Sequence, residues 1–145
     1  NGQNLRVNVD TGATLVDGTL SSAPPAPAAG VTGAAYTNND ADPNTATTLF
    51  DLDSMLDQTV IQSPANSGQL APTGKLGVDT ASAIGFDIYS DLRKGTTTSV
   101  RAFASLTTDG SARFYRVNLL QGRASLVGSF SRRNQVTGIA IQLDR

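Results

Sequence analysis

One pattern occurs twice in this sequence, about 110 residues apart. Residues 4–20 read NLRVNVDTGATLVDGTL, and residues 113–130 read RFYRVNLLQGRASLVGSF. Each copy runs through Arg-Val-Asn, reaches a Gly four residues after the Asn, and then rises through a second apolar stretch to another Gly. Alternating stretches on either side of an Asn/Asp/Gly turn are typical of a β-hairpin. The sequence is therefore predicted to repeat a strand–turn–strand unit.

A looser third copy, TLFDLDSMLDQTVIQ, spans residues 48–62 and has Asp53 where the others have Asn8 and Asn118. Short polar side chains at the end of a strand can bond the backbone of the turn that follows. These three residues are therefore predicted to form equivalent corners of successive sheets.

Further strands are predicted around the repeated hairpins. They complete a cycle of four antiparallel strands, which is typical of propeller blades. Two Pro-containing stretches, residues 21–30 and 63–74, are predicted to be loops. The additional strands are predicted over residues 32–38, 83–91, 99–107 and 136–144, and Gly33, Gly85 and Gly138 lead three of them.

The count is about ten strands. We therefore predict an all-β, antiparallel β-propeller-like repeat of about two and a half four-stranded blades, which is an incomplete ring. Residues 1–145 are predicted to be a single β-repeat domain, the C-terminal portion of a longer propeller-like domain. A β-sandwich is the alternative fold.

The charged residues favour the same fold class. All twelve acids are Asp, and nine of the eleven bases are Arg. The chain therefore lacks Glu and is poor in Lys, two good formers of surface helices. The abundant Thr, Val, Asn, Asp and Gly suit strands and tight turns instead.

Charge and hydropathy limit the partners. The net charge is −1, and no basic run is longer than Arg132-Arg133, so nucleic acid is not an expected partner. No apolar stretch reaches the length of a membrane span. An incomplete set of blades leaves sheet edges and a blade face uncovered. We expect the missing N-terminal part of the same protein, or neighbouring subunits in a dimer or filament, to cover them.

A hydrolase is the alternative to a non-enzymatic function. The sequence has no His and no Cys, which excludes Ser-His-Asp and Cys-His catalysis and ordinary zinc sites. VDTGAT with Asp10 and VDTASA with Asp79 resemble the paired loops of an aspartic protease. The second copy has Ala81 in place of Gly, however, and Asp10 falls in a hairpin turn. Twelve Asp residues also leave a glycosidase-like acid pair open.

Calcium is the one cofactor that the sequence suggests. DADPNTATTLFD, residues 40–51, places Asp40, Asp42, Asn44 and Asp51 at positions one, three, five and twelve of a loop. An EF-hand requires Gly at position six and Glu at position twelve, and neither is present. An Asn/Asp-rich turn is the favoured interpretation, and an irregular calcium loop is the alternative.

The aromatic residues of the predicted strands are interpreted as core or blade-packing residues rather than as a sugar-binding platform. They are Tyr36, Phe50, Phe86, Phe103, Phe114 and Tyr115.

The ordered series NGQNLRVNVDTGATLVDGTL, VTGAAYTNND, TTLFDLDSMLDQTVIQSPANSGQLAPTGKLGVD and IGFDI resembles the C-terminal portion of domain of unknown function 4394. The resemblance covers nearly the whole chain. It implies a propeller-like repeat in a secreted or surface-attached bacterial protein, and it implies no activity. The expected function is that of a non-enzymatic, extracellular or cell-surface module for binding or assembly.

Overall fold

The computed structural model describes residues 2–23, 26–38, 40, 42, 44–82 and 84–142. This part of the chain forms twelve β-strands and one short 3₁₀ helix, Ala65–Ser67. It contains no helix that is long and apolar enough to cross a lipid bilayer. The strands are β1 (Leu5–Val7), β2 (Thr14–Val16), β3 (Ser21–Ser22), β4 (Ala26–Pro27), β5 (Val31–Tyr36), β6 (Leu49–Asp53), β7 (Gln58–Gln62), β8 (Gln69–Lys75), β9 (Gly85–Arg93), β10 (Thr96–Thr108), β11 (Ser111–Val117) and β12 (Ala124–Ser129).

The strands form three sheets, which confirms the predicted all-β class. β9 to β12 make a four-stranded antiparallel meander in chain order, and β5 to β8 make a second one. β3 and β4 extend the β5–β8 meander to a six-stranded sheet in the order β4-β3-β8-β7-β6-β5. β1 and β2 form a separate two-stranded sheet.

The two larger sheets share one hydrophobic core. At one side of the core β5 lies against β9, where a Cβ on Gly33 would be only 2.9 Å from the Cβ of Phe86. At the other side the Ala124 N–H donates to the Leu76 carbonyl over 2.9 Å. The two sheets therefore meet at both sides of the core. Its buried members are Ala35, Phe50, Leu52, Leu76, Ile84, Phe86, Ile88, Ala102, Ala104, Leu106, Tyr115 and Val117.

The three predicted corners have the same local structure. In each, the Oδ1 atom of the strand-end residue accepts backbone N–H groups two and three residues further on, at 2.9–3.1 Å. The residue four positions further on has positive φ in every corner. The strand-end residues are Asn8, Asp53 and Asn118, and the positive-φ residues are Gly12, Asp57 and Gly122.

The corners do not occupy the same place in their sheets, contrary to the prediction. Asp53 joins the second and third strands of the β5–β8 meander, whereas Asn118 joins the third and fourth strands of the β9–β12 meander. The side-chain hydrogen bonds that build this corner are local. They specify the turn but not which pair of strands the turn connects.

Removing the Asn118 side chain should measurably weaken the fold. Asn118→Ala leaves the N–H groups of Leu120 and Gln121 without their acceptor. We expect the free energy of unfolding to fall by about 1–2 kcal/mol in urea titration. Asn118→Asp keeps an acceptor at the same position and should lose less. Equal losses in the two variants would contradict this role.

Residues 63–74, predicted to be a loop, contain most of β8. Beyond Leu70 this strand no longer pairs with β3, so its far side is an edge. Pro72 lies on this free edge, beside a register shift opposite Thr59 and Val60. A proline without an N–H is tolerated at an edge or a bulge, and the prediction of a loop was therefore wrong. In the other predicted loop, residues 21–30, the described residues form the two-residue strands β3 and β4 and are otherwise without regular secondary structure.

The strand predicted over residues 136–144 is also absent from the described residues, which end at residue 142. Instead, this tail crosses the β9–β12 sheet on the face opposite the core. The Ser105 hydroxyl donates to the Val136 carbonyl, and the Ile141 N–H donates to the Asp87 carboxylate. The tail therefore uses side chains of the sheet for hydrogen bonds that an added strand would make with backbone.

The aromatic residues divide between the two faces of the β9–β12 sheet. Phe50, Phe86 and Tyr115 lie in the core, as predicted. The rings of Phe103 and Phe114 stack with centroids 5.4 Å apart on the opposite face, where they are half-buried. Tyr36 is 47% exposed. Tyr36 is therefore not a core residue, and the blade-packing role predicted for residues such as Phe103 and Phe114 stays a prediction.

Candidate functional site

The described structure contains a cleft of about 880 Å³. Three segments form it: the connection from β5 to β6 (residues 37–48), the first half of β10, and the corner between β11 and β12. It therefore lies where the two larger sheets separate at one end of their shared core.

The cleft has an apolar base and a hydroxyl-rich rim. Phe50, Ala102 and Val117 line it and are buried members of the core. Residues with hydroxyl groups come from the β5–β6 connection and from the start of β10, and they are Thr37, Thr45, Thr48, Thr97, Thr98 and Ser99. Such a surface offers both apolar contact and hydrogen bonds to a polar ligand.

Three arginines are among the residues that line the cleft. Arg101, Arg116 and Arg123 all line it, and no acidic residue is found among its described lining residues. The strand register places Arg116 opposite Phe103 and opposite Ser125, which puts the three arginines on one face of the sheet. This is the face opposite the core residues Ala102 and Val117, so the arginines belong to the edge of the cleft and not to its apolar base. Guanidinium groups bind carboxylates and phosphates through paired hydrogen bonds.

Arg101 is held in position by its neighbours on β9. Its Nη2 atom lies 2.6 Å from Asp91 Oδ1, and its guanidinium lies 4.9 Å from the centroid of the Tyr89 ring. The Ser99 hydroxyl also bonds Asp91, at 2.5 Å. The hydrogen bond from Ser99 and the one from Arg101 lower the pKa of the Asp91 carboxyl. Among the described residues, Arg116 and Arg123 form no ion pair.

The β5–β6 connection is fastened to the β9–β10 hairpin through Asp40. The Thr97 N–H donates to Asp40 Oδ2 over 2.7 Å, and the Asp42 N–H donates to Asp40 Oδ1. Desolvation is the largest single influence on the Asp40 carboxyl, and it acts to raise the pKa. The hydrogen bonds from Thr97, Asp42 and Thr45 act in the opposite direction and together have the larger effect, so the net result is a lowered pKa. This carboxylate therefore fixes the rim of the cleft.

The two acids of the hydrolase alternative lie in separate connections between strands. Asp10 is exposed in the β1–β2 corner, and Asp79 is exposed in the connection between β8 and β9. Neither lines the cleft. The catalytic pair thus has no support in the described geometry, and its assignment to turns stays a prediction.

The residues of the calcium alternative have different environments. Asp42 Oδ1 accepts the Asn44 N–H in the same turn that contains Asp40, whereas Asp51 lies within strand β6. The part of the chain that the structure describes holds no group of three or more acidic, His or Cys side chains that could bind a metal ion. Residues 41 and 43 of this loop lie outside the described residues.

Asp51 is the most unusual side chain of the molecule. It has no exposed surface, and neither of its carboxylate oxygens has a hydrogen-bond partner. The register places it opposite Val60 on β7 and Ala34 on β5. Burial raises the pKa of this carboxyl from 3.8 to about 7. At neutral pH, a substantial fraction of this side chain therefore carries a proton.

Sequence reasoning did not identify the arginines of the cleft. Arg101 and Arg116 are separated by fourteen residues and meet only because β10 pairs with β11 in one particular register. The available signal was the pattern of the second hairpin copy, in which Arg116 and Arg123 stand on opposite sides of the Asn118 turn. Their position on one face follows from the strand pairing predicted there.

Comparison with known proteins identifies a family for this chain. The family model described as a domain of unknown function (DUF4394) matches residues 1–140. Neither a curated protein nor a solved structure matches the chain significantly.

Proposed function

This chain belongs to the DUF4394 family, and we propose that it is a non-enzymatic, propeller-like module that binds an anionic, hydroxyl-rich ligand in its arginine-lined cleft. The observation that carries the proposal is the group of three arginines on a cleft without acidic lining residues among those described. An acidic polysaccharide has the matching chemistry, because its carboxylates suit guanidinium groups and its hydroxyls suit the Thr and Ser rim.

Two features support a propeller-like arrangement. The two four-stranded meanders follow one another along the chain and pack together, as neighbouring blades do. In the first strand of each meander, a glycine allows the next segment of the chain to approach closely. Gly33 of β5 faces Phe86 of β9, and Gly85 of β9 faces Gly138 of the tail. A Cβ on Gly85 would lie 2.7 Å from the tail backbone. This approach of the tail supports the proposal, because the first strand of a further blade would lie beside Gly85 in the same way.

The proposal includes an extracellular or cell-surface location, which rests on the resemblance of the chain to secreted and surface proteins. It also includes assembly with further polypeptide, either the N-terminal part of the same protein or neighbouring subunits. Exposed apolar side chains on β1, β2 and β12 support this part, and they include Val7, Val16, Leu126 and Val127.

The cleft is tested with polygalacturonate as the acidic polysaccharide and dextran as the neutral control. We expect the double variant Arg116→Gln/Arg123→Gln to bind polygalacturonate at least about tenfold more weakly in calorimetry, because each charged hydrogen bond contributes about 1.5–3 kcal/mol. Binding should also weaken as salt is raised.

Arg132→Gln is the matched control, because Arg132 is exposed in the segment after β12 and does not line the cleft. This variant should bind as the parent protein does. Equal affinity for dextran, or unchanged polygalacturonate binding in the double variant, would contradict the proposed ligand class.

A further inference from the structure

The hairpins β1–β2 and β11–β12 are structural copies of one another. Leu5 pairs with Val16 as Tyr115 pairs with Leu126, and Val7 pairs with Thr14 as Val117 pairs with Ala124. Their corners share the backbone bonds too. The Asn8 N–H donates to the Ala13 carbonyl and the Asn118 N–H to the Arg123 carbonyl, both over 2.9 Å. Every residue of the first hairpin therefore has a counterpart 110 positions later.

The β11–β12 copy is docked against strand β8. Tyr115 and Val117 are buried in the core, and Leu119 packs against it. The Thr73 hydroxyl donates to the Leu119 carbonyl over 2.6 Å. Gly122 and Gly74 approach so closely that a Cβ on either would overlap the backbone of the other. The Thr73 hydroxyl and the absence of a side chain at Gly74 thus allow this corner to pack on β8.

The β1–β2 copy presents the same face to solvent. Val7, the counterpart of buried Val117, is 57% exposed, and Val9, the counterpart of Leu119, is 95% exposed. A Cβ on Gly12, the counterpart of Gly122, would meet no atom within 4 Å. Leu5 is exposed as well. The first hairpin therefore has the apolar face of a docked hairpin without the sheet on which such a face packs.

This hairpin is nevertheless attached to the rest of the protein. The Asn4 side-chain amide donates to the Ala65 carbonyl over 2.8 Å, and the Gly18 N–H donates to the Asn66 carbonyl over 2.9 Å. Arg6 pairs with Asp17 at 2.7 Å, and the strand register places Arg6 on the face opposite Leu5 and Val7. The exposed face is thus held in position and is free of charged strand residues.

From these observations we infer that the face formed by Leu5, Val7, Val9, Gly12 and Thr14 docks a β-sheet built from residues outside this sequence, such as the N-terminal part of the same protein. The interface between β11–β12 and β8 defines the chemistry of that partner. Its receiving strand carries a glycine, a Thr or Ser hydroxyl one residue earlier, and a backbone carbonyl two residues later to accept the Thr14 N–H. A second copy of this protein does not fit, because its own β11–β12 corner already occupies Gly74.

This inference rests on the assembly part of the proposed function and is independent of the cleft. The probe is a synthetic peptide with the β8 sequence QLAPTGKLG, residues 69–77, and the matched control peptide carries Gly74→Val. In ¹⁵N-correlated NMR spectra of the whole chain, the parent peptide should shift the amide signals of Val9, Gly12 and Thr14. It should leave those of Leu119, Gly122 and Ala124 in place, because that corner is already docked.

The control peptide should cause no such shifts, and the protein variant Val7→Asp should not respond to either peptide. Absence of shifts at millimolar parent peptide, or equal shifts with the two peptides, would overturn the inference.

Light scattering adds a further test. A concentration-dependent dimer that Val7→Asp abolishes would overturn it in favour of self-association. Polygalacturonate binding should be unchanged in Val7→Asp, which separates this test from that of the cleft.

Discussion

Replacing Asp51 with Asn is expected to remove a pH dependence of stability that amounts to about 4 kcal/mol between pH 4 and pH 8. The folded protein retains the proton of this buried carboxyl up to about pH 7, whereas the unfolded chain releases it near 3.8. The folded state therefore binds more protons over that interval, and its stability falls as the pH rises through it. Each pH unit of the interval contributes about 1.36 kcal/mol, which gives the expected total.

The measurement is a series of urea unfolding curves from pH 4 to pH 8 for the parent protein and Asp51→Asn. The two proteins should be most alike near pH 4, and the variant should become relatively more stable as the pH approaches 7. Above that pH the difference should level off. Asp10→Asn is the control, because Asp10 is an exposed carboxylate in a turn, and its profile should follow that of the parent. Parallel profiles for the parent and Asp51→Asn would contradict the burial of an unpaired carboxyl.

The turns of this fold could be predicted from the sequence because their structure is local. At Asn8, Asp53 and Asn118 the side chain bonds backbone groups only two and three residues away. Neighbouring sequence therefore contains all the participants. Tertiary packing places these corners but does not have to create them.

Strand β8 and the burial of Asp51 could not be predicted because both depend on distant residues. Pro72 is acceptable in β8 only because that part of the strand is an edge. Asp51 alternates with the core residues Phe50 and Leu52, a pattern that predicts a solvent-facing acid. The face that it occupies instead carries a second apolar cluster, in which Leu20 packs with Val60 and Leu70. Leu20 is the last residue of the first hairpin copy, and the pattern of that copy does not indicate that it packs against Val60 and Leu70.

The candidate site shows the same division. The Asn118 corner was predicted, and it brings Arg116 and Arg123 to the rim of the cleft. The contribution of Arg101 requires the register between β10 and β11, and the apolar base requires the packing of one sheet on the other. The cleft as a whole could therefore not be predicted from the sequence, although one of the three segments that form it, the corner between β11 and β12, could.

Glycines 12 and 122 offer a pair of substitutions that separates backbone strain from packing. Both have positive φ, +73° and +75°, at the same position of the same corner. Gly12→Ala should cost about 1–2 kcal/mol for placing an L-residue in the left-handed region. Gly122→Ala pays the same strain and also forces a methyl group into the backbone of Gly74.

We expect Gly122→Ala to lower the free energy of unfolding by more than about 4 kcal/mol, which is the range of severe core defects. Urea unfolding at one pH measures both variants, and the difference between them is the contribution of the docked corner. Near-equal losses would mean that the β11–β12 corner does not pack on β8 in solution. The same difference also bears on the exposed hairpin. The Gly12→Ala variant should remain folded but should no longer show the amide shifts caused by the QLAPTGKLG peptide. A strand docked at Gly12 would clash with the added methyl group, just as Gly74 would clash with a methyl group on Gly122.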